Sequence, residues 1–323
     1  MTAGLVAPLT AEEVFVARGT CPFCGAAPAG ELDHIDYRDT AEANQALPDI
    51  RGTLFECLEC GVAFPSHAYR VTAFPLLYSK TFQDLDGFDR SPLQRVRTAV
   101  MARILAAHHR RVSLSRLLDA LTCRVLQVPA LGRAPRGLSI LDVGCGFGEF
   151  VRMFSALGNE VVGTEIVPAF VDRLRAARFD CRLGELHDLD FDGQRFDAVI
   201  LRAVLYRTLD VAATLGKVDA LLAPGGEIVL VDPCPGRDGA SYFFRKQFPQ
   251  GQFYIIDRGR YFAMLTRRFR LACAAARLIY GRPNAPLKPL SPLVHVRGLG
   301  ELVAANLLHR KPYVLSYRLV RAS

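Results

Sequence analysis

The sequence lacks several features that would place it in other classes of protein. No uninterrupted apolar stretch approaches the ~18 to 20 residues that a membrane-spanning helix needs, and no opening run resembles a secretory signal peptide. Nine cysteines, an odd number without such a signal, argue against a disulfide framework. We therefore expect a soluble, cytoplasmic protein, and 323 residues of which 50% are hydrophobic suffice for two domains.

Charge is distributed unevenly along the chain. Residues 88–136 carry a net charge of +8 and residues 241–311 carry +11, whereas residues 1–87 carry −7 and residues 137–240 carry −6. The two basic segments are consistent with a positive surface for a phosphorylated substrate, an anionic lipid or RNA. Solvated helix faces are the alternative, because the arginines recur at helical spacing and not in one run.

A glycine-rich turn directly follows the apolar run Ser139–Val143. That run is long enough for a buried parallel strand and too short for a helix. Gly144, Gly146 and Gly148 allow the backbone to approach a ligand closely, and the helix predicted over 150–157 directs its N-terminal amides towards that ligand. The spacing is G-x-G-x-G and not the G-x-G-x-x-G of dinucleotide sites.

Two acidic residues accompany the turn. Asp142 lies two residues ahead of the first glycine, where a carboxylate would repel a pyrophosphate and suit a cationic ligand. Glu165 ends a second strand-like run, and an acid at that place can bind both ribose hydroxyls of a nucleoside. The combination favours a nucleoside site over a purely structural turn.

These residues carry a resemblance to a known family. Leu141–Phe150 resembles motif I of the class I S-adenosylmethionine-dependent methyltransferases. Phe196–Leu201 resembles the fourth strand of that family, and Leu221–Val231 resembles its helix, Pro-Gly-Gly turn and fifth strand. The resemblance covers residues 137–233 closely, and it implies that the chain is a methyltransferase that uses S-adenosylmethionine.

The resemblance also implies which residues bind that cofactor. Asp142 and the glycines would hold the methionine end, Glu165 the ribose, and the turn at residues 184–186 would lie near the adenine. The full implied set is Asp142, Gly144, Cys145, Gly146, Gly148, Glu165, Ile166, Glu185, Leu186 and Arg202.

Strand-like and helical stretches alternate through this part of the chain. Parallel strands are predicted at Ser139–Val143, Glu160–Thr164, Asp180–Leu183, Phe196–Leu201 and Glu227–Asp232, and a final antiparallel strand at Lys311–Val320. The predicted fold class is therefore α/β, with a Rossmann-like, doubly wound and mostly parallel sheet whose last strand is antiparallel. Because ligands bind beyond the carboxyl ends of such strands, Asp142, Glu165, Glu185 and Arg202 are expected to converge on one crevice.

Two C-x-x-C-G motifs lie in the N-terminal part of the chain. Four thiolates on tight glycine turns form the tetrahedral site that a structural Zn²⁺ ion prefers, with no position left open for chemistry. The metal would stabilise a small zinc-ribbon-like domain. A redox pair or unligated core thiols are the alternatives. His34 and His67 lie nearby, but the predicted ligands are already complete: Cys21, Cys24, Cys57 and Cys60.

Three regions follow from these motifs. We predict a zinc-binding module at 1–68, a connector or lid with a helical segment at 69–136, and a methyltransferase domain at 137–323 with an aromatic and basic insert at 236–295. This arrangement resembles a group of bacterial small-molecule methyltransferases, in which the connector can cover the cofactor. Tyr69 and Tyr78 are therefore candidate site residues, with packing between domains as the alternative. The rings of the insert either line a pocket for a planar or anionic acceptor or belong to the core.

The loop after the fourth predicted strand departs from the family pattern. Related enzymes often have His-x-x-Glu-His there, whereas this chain reads Arg-Ala-Val-Leu-Tyr-Arg from residue 202 to residue 207. Arg202 would bind an anionic substrate, Tyr206 would orient or deprotonate a nucleophile, and His187 is the other titratable candidate. An ion pair, a core-facing ring and a surface histidine are the respective alternatives.

Three functions are consistent with these features. The first is methyl transfer to a small-molecule acceptor such as a sugar, a natural product or another metabolite, with a structural zinc module. The second is RNA methylation, with the zinc module and basic flanks on the phosphate backbone. The third is cofactor binding without activity. The first is favoured, because the cysteine motifs lie in an acidic segment, whose charge has the wrong sign for phosphate.

Overall fold

The computed structural model describes residues 10–37, 48, 50–74, 131–246, 251–279 and 314–322. Tyr78, the helical segment predicted between residues 93 and 126, and most of the two basic segments lie outside these residues. None of the described helices is both long enough and apolar enough to cross a membrane.

The described helices and strands follow one another in a mixed order. The first part of the chain contains α1 (Ala11–Val14), β1 (Phe15–Ala17), β2 (Gly30–Asp36), β3 (Arg51–Cys57), β4 (Val62–Pro65) and β5 (His67–Tyr69). The middle contains β6 (Ser139–Val143), α2 (Glu149–Ala156), β7 (Glu160–Glu165), α3 (Pro168–Ala176), β8 (Asp180–Leu183), β9 (Phe196–Arg202), α4 (Val211–Leu221) and β10 (Leu222–Pro233). The last part contains α5 (Ala240–Lys246), β11 (Tyr254–Ile255), α6 (Arg258–Phe269), β12 (Leu271–Ile279) and β13 (Val314–Arg321).

The chain forms two compact units. The first, which we call the N-terminal unit, draws on the described parts of Met1–Gln83, Tyr206–Asp210 and Pro235–Tyr261. The second, the sheet unit, draws on the described parts of Asp84–Leu205, Val211–Cys234 and Phe262–Ser323. The N-terminal unit thus includes part of the predicted insert, while the domain boundaries after residues 68 and 136 stay a prediction.

The sheet unit contains a seven-stranded mixed sheet in the order β12-β13-β10-β9-β6-β7-β8. The five strands from β10 to β8 in this order are parallel, and β13 is antiparallel to both β10 and β12. The predicted parallel strands and antiparallel last strand are confirmed, and β12 is an additional edge strand. The strand order reverses at β6, which lies between β9 and β7, and ligands bind at such a point in α/β sheets.

Burial explains why the central strand has no alternating pattern. Four consecutive residues of β6, from Ile140 to Val143, are buried, as expected for a parallel strand covered on both faces. The helix α2 covers part of this sheet with Phe150, Met153 and Phe154, which share one buried cluster with Ile140. Of the residues in this central strand only Asp142 is charged, so the fold buries a carboxyl group at the end of an apolar strand.

The N-terminal unit is built on a four-stranded antiparallel sheet in the order β11-β4-β3-β2, beside a two-stranded sheet of β1 and β5. Its edge strand β11 comes from the predicted insert. Five aromatic side chains of the insert are fully buried in this unit: Phe243, Phe244, Phe253, Tyr254 and Tyr261. These rings are core residues, which is the second of the two interpretations given above.

Tyr69, the described candidate from the connector, is also a core residue. Its side chain is 1% exposed, and its ring lies 4.6 Å from that of Phe15 and 5.9 Å from that of Tyr37, measured between centroids. This packing agrees with the alternative interpretation of Tyr69 as an apolar contact, and its role at a ligand stays a prediction.

Candidate functional site

The most unusual group in the sheet unit is the carboxyl group of Asp142, near the carboxyl end of β6. Asp142 is 3% exposed, and no described residue donates a hydrogen bond to its Oδ2 atom. Burial raises the pKa of Asp142 to about 8; the charge of Arg202 opposes the shift, and the carboxylates of Glu165 and Glu149 add to it. The side chain can therefore accept a hydrogen bond that no described residue donates.

This buried acid predicts an unusual pH dependence of stability for the ligand-free protein. The unfolded chain ionises Asp142 near pH 3.8, while the folded chain keeps its proton up to about pH 8. Between these values the folded state binds more protons, so the free energy of unfolding should fall as pH rises, with no further loss above about pH 8. Urea denaturation across this pH range measures the effect, and Asp142→Asn should flatten it. An equally steep decline in the asparagine variant would contradict the assignment.

The glycine turn after β6 adopts a backbone that other residues rarely accept. Gly144, Gly146 and Gly148 have φ angles of 62°, 53° and 72°. The N–H of Gly144 donates to Oγ1 of Thr164 at 3.4 Å, and the N–H of Gly148 donates to the carbonyl of Cys145 at 2.9 Å. A Cβ atom on Gly146 would meet no described atom within 4 Å, so space lies open beside the middle of the turn.

The first glycine is also required by packing. A Cβ atom on Gly144 would lie 2.6 Å from Cγ2 of Val204, the second residue after β9. The residue between, Ala203, has a left-handed φ of 58° and donates its N–H to the carbonyl of Val231 at 3.0 Å. The chain therefore turns sharply after β9 and brings Val204 onto the glycine turn.

We expect Gly144→Ala to lower the free energy of unfolding by about 1–3 kcal/mol, through backbone strain and the contact with Val204. Adding Val204→Ala should recover only the steric part, because the left-handed backbone strain remains. Urea denaturation of both single variants and the double variant gives the coupling energy. Strictly additive effects of the two substitutions would exclude the contact.

Glu165, at the end of β7, ties the glycine turn to the neighbouring strand. Its Oε2 atom accepts a hydrogen bond from the N–H of Gly146 at 2.8 Å. Its Oε1 atom accepts bonds from the N–H groups of Ile166 at 2.7 Å and Val167 at 3.0 Å. These three backbone N–H groups hold the carboxylate at the carboxyl end of β7, next to the glycine turn.

Cys145 takes part in the turn through its backbone and packs through its side chain. Its N–H donates to the carbonyl of Thr164 at 2.9 Å. Its Sγ atom lies 3.7 Å from Sγ of Cys181 on β8. The absence of a side chain at Gly163 makes room for the Cys145 sulfur, because a Cβ atom on Gly163 would lie 2.8 Å from Sγ of Cys145. Its predicted contact with a cofactor stays a prediction.

Arg202, the last residue of β9, forms an ion pair beside Asp142. Its Nη1 atom donates to Oε2 of Glu149 at 3.0 Å, and its guanidinium carbon lies 5.2 Å from the ring centroid of Phe150. Glu149 and Phe150 begin α2, so the pair joins the end of β9 to the start of the helix after the turn. This is the ion-pair alternative named above, and a role in substrate binding stays a prediction.

Glu185, Leu186 and His187 follow β8 as predicted. Leu186 is 5% exposed, and burial raises the pKa of Glu185. The Nε2 atom of His187 lies 3.1 Å from Oγ1 of Thr214 on α4, and its Nδ1 atom lies 3.9 Å from Oε2 of Glu185. The imidazole thus has a partner on each side, and neither its catalytic role nor the adenine contact of this turn is tested by these contacts.

Tyr206 belongs to the N-terminal unit, whereas Asp142 and the glycine turn belong to the sheet unit. Its side chain is 1% exposed, and its carbonyl accepts a hydrogen bond from the N–H of Gln252 at 2.5 Å. The guanidinium carbon of Arg207 lies 5.0 Å from the ring centroid of Tyr206. This environment agrees with the core-facing alternative, and a catalytic role for Tyr206 stays a prediction.

The candidate metal centre lies in the N-terminal unit. The structure brings the Sγ atoms of four cysteines within 4.8 Å of one another: Cys21, Cys24, Cys57 and Cys60. Two glycines close the turns, Gly25 with a φ of 79° and Gly61 with a φ of 70°. Their N–H groups donate to the carbonyls of Cys21 at 2.8 Å and Cys57 at 3.0 Å. Neither His34 nor His67 belongs to this group.

Comparison with known proteins identifies the family. The family described as "Methyltransferase domain" matches residues 106–271, more than half of the chain. The chain belongs to this methyltransferase family. Over 121 residues it is 31% identical to the ubiquinone biosynthesis O-methyltransferase of Mesorhizobium japonicum, a match that covers 36% of this chain and 49% of the relative. The protein of the same name from Methylocella silvestris is 33% identical over 135 residues, with 38% and 53% covered.

The chain spans about half the length of the curated relatives that it matches. Among solved structures, an S-adenosylmethionine-dependent methyltransferase from Mesorhizobium loti has 21% identity and a TM-score of 0.45, with 65% of this chain and 99% of that one covered. A TM-score below 0.5 supports no conclusion, so the membership of the methyltransferase family rests on the matched segment.

Three residues that shape the candidate site were not predicted from the sequence. Thr164 accepts two hydrogen bonds from the glycine turn, Val204 packs on Gly144, and Glu149 pairs with Arg202. Glu149 carries one local signal, an acid in the first turn of a helix. Thr164 acts through the register between β6 and β7, and Val204 acts through the left-handed turn at Ala203; neither has a local signal in the sequence.

Proposed function

We propose that this protein transfers a methyl group from S-adenosylmethionine to a small-molecule acceptor and carries one structural Zn²⁺ ion. The observation that carries the proposal is the buried carboxyl group of Asp142, whose Oδ2 accepts no hydrogen bond from a described residue, beside a turn with open space at Gly146. Membership of the methyltransferase family supports it.

The residues present fit this cofactor. Asp142 would accept from its ammonium end, and the Glu165 carboxylate, at the end of β7, would accept from the ribose hydroxyls. Ile166 and Leu186 would supply apolar contacts to the adenine, and Glu185 is the nearby polar residue. When bound, the cofactor supplies a methyl group activated by a positively charged sulfur, so the protein's main task is alignment and exclusion of water.

The chain's own groups would act by orientation. The Glu165 carboxylate and Thr164 fix the glycine turn, and the Arg202–Glu149 pair fixes the end of β9 against the start of α2. For an acceptor that holds its proton at neutral pH, a base is needed. Tyr206 and His187 are the candidates, and Arg202 would bind an anionic acceptor.

A small-molecule acceptor is supported by two features. The matched relatives are named ubiquinone biosynthesis O-methyltransferases, which suggests oxygen as the acceptor atom. The cysteine motifs lie in a segment of residues 1–87 with a net charge of −7, which disfavours contact with a nucleic acid backbone.

The metal assignment rests on the chemistry of the donor set. Four thiols that converge on one point, without a histidine or a carboxylate among them, are the set that a structural Zn²⁺ ion prefers. Four sulfur ligands leave no open position, so the ion would stabilise the N-terminal unit and take no part in methyl transfer.

The test is transfer of label from tritiated S-adenosylmethionine to a fractionated cell extract. We expect a labelled product distinct from S-adenosylmethionine in the small-molecule filtrate with wild-type protein, and at least tenfold less of this product with Asp142→Ala. Label in the RNA fraction would replace the proposal by RNA methylation. Tight cofactor binding without label in any fraction would replace it by cofactor binding alone.

A further inference from the structure

The two cysteine loops of the N-terminal unit contact a part of the chain that lies roughly 190 to 240 residues later in the sequence. Residues 251–261 lie between β10 and β12 in the sequence, yet they belong to the N-terminal unit. Tyr254 and Ile255 form β11, which is antiparallel to β4 and pairs with Ala63 and Val62. The strand β4 begins one residue after Gly61, so β11 lies beside the second cysteine loop.

That second loop, Cys57–Gly61, is held by the insert through its carbonyl groups. The carbonyl of Gly61 accepts from the N–H groups of both Ile256 and Asp257, each at 2.9 Å. The carbonyl of Leu58 accepts from Nη1 of Arg260 at 2.9 Å. Two backbone N–H groups and one arginine side chain of the insert thus bind carbonyl groups of the second cysteine loop.

The first loop, Cys21–Gly25, is held by aromatic packing. Phe23 lies between Cys21 and Cys24 in the sequence, and its side chain is fully buried. Its centroid lies 4.8 Å from that of Tyr261 and 5.4 Å from that of Phe253. Both cysteine loops therefore rest on the same eleven residues of the insert, 251–261.

The segment that follows β9 is held in the same unit. The carbonyl of Tyr206 accepts from the N–H of Gln252 at 2.5 Å, and the carbonyl of Leu209 accepts from Nη2 of Arg18 at 2.8 Å. The side chain of Gln252 in turn donates to the carbonyl of Tyr69 at 3.2 Å. Two segments, one after β9 and one after β10, thus both belong to the N-terminal unit.

We infer that the metal orders these two segments: residues 251–261 and 206–210 fold with the cysteine loops as one cooperative element that requires the ion. The inference rests on the proposed zinc assignment and extends it. An ion that fixes the two loops fixes the carbonyls and the Phe23 ring on which the insert packs. By linkage, the insert contacts must in turn raise the affinity for the metal.

Hydrogen exchange of the full chain, measured with and without a chelator, tests whether the metal orders the two segments. After metal removal, peptides covering 251–261 and 206–210 should exchange at least tenfold faster, while peptides of β6 at 139–143 should be unchanged. Metal content by mass spectrometry is measured in the same samples. Unchanged protection of 251–261 after complete loss of metal would overturn the inference and leave the zinc assignment intact.

Two matched glycine substitutions test whether the insert contacts raise the affinity for the metal. Gly25 and Gly61 close equivalent loops with similar positive φ angles, so alanine adds similar backbone strain at both. A Cβ atom on Gly25 meets nothing described within 4 Å, whereas one on Gly61 would lie 2.5 Å from the carbonyl oxygen of Asp257. Only Gly61→Ala therefore disturbs the insert.

We expect Gly61→Ala to weaken Zn²⁺ binding at least tenfold more than Gly25→Ala in a competition titration with a chromophoric chelator. Arg260→Ala should weaken Zn²⁺ binding more than Arg258→Ala, because Arg258 is an exposed arginine without the bond to Leu58 that is described for Arg260. Equal effects within each pair would overturn the inference. A chain that holds no metal and takes none up would overturn the zinc assignment, and this inference with it.

Discussion

Asp142→Ala is expected to weaken the binding of S-adenosylmethionine by about 10- to 150-fold, the loss of one charge-assisted hydrogen bond of about 1.5–3 kcal/mol. The buried Oδ2 atom of Asp142 accepts no hydrogen bond from a described residue, so a cationic ligand group would gain its full interaction with this oxygen. Isothermal titration calorimetry at pH 8 measures the change.

The thermal stability of a second variant, Asp142→Asn, distinguishes a loss of cofactor binding from a loss of folding. Burial raises the pKa of Asp142 to about 8, so the ionised carboxylate destabilises the ligand-free protein. Asp142→Asn should therefore unfold at the same or a higher temperature than wild type at pH 8.5 while binding the cofactor poorly. Asp172→Ala, at an exposed position on α3, is the matched control and should bind normally. Wild-type affinity in Asp142→Ala would remove the acid from the site.

Cys57→Ser is the second substitution with a large expected effect. It removes one of four converging sulfur ligands, and structural zinc contributes about 10–16 kcal/mol of apparent binding free energy in small zinc-dependent modules. We expect the zinc content to fall from one ion per chain to near none and the N-terminal unit to lose its cooperative thermal transition. Native mass spectrometry and calorimetry measure the two effects.

The control for this substitution is Cys273→Ser. Cys273 is exposed on β12 and lies outside the four-cysteine group, so its loss should change neither the zinc content nor the transition. Full zinc occupancy in Cys57→Ser would contradict the assignment of the four ligands. A normal thermal transition in the metal-free variant would show that the N-terminal unit folds without the ion.

The parallel strands could be predicted because their signals are local. Ser139–Val143 is an apolar run of strand length next to glycines, and the structure forms β6 over the same residues. The antiparallel last strand was predicted over Lys311–Val320, and the structure forms β13 over Val314–Arg321. The four cysteines could be found for a similar reason, because each pair sits on its own glycine turn.

The role of the insert could not be predicted, because its pairing is not local. The strand β11 has only two residues, and its partner β4 lies about 190 positions earlier, so no periodic pattern marks either the strand or its register. Aromatic residues such as Phe253 and Tyr261 fit a ligand pocket and a core equally well in sequence. Packing with Phe23 decides between the two, and packing is visible only in three dimensions.

Several contacts within the candidate site could not be predicted for the same reason. Glu165 was predicted for its position at a strand end, but its bond to the N–H of Gly146 depends on the register between β6 and β7. Val204 reaches Gly144 only because Ala203 adopts a left-handed backbone, and nothing in the residue type of alanine indicates this. Sequence reasoning found the chemistry of the turn and missed the contacts that hold it.

The most direct test is an experimental structure with S-adenosylhomocysteine bound. It should place the amino group of the ligand within about 2.7–3.2 Å of an Asp142 oxygen and the ribose hydroxyls at Glu165, with the thioether sulfur beside the Gly144–Gly148 turn. A ligand found elsewhere on the chain, or no binding at saturating concentration, would contradict the central claim.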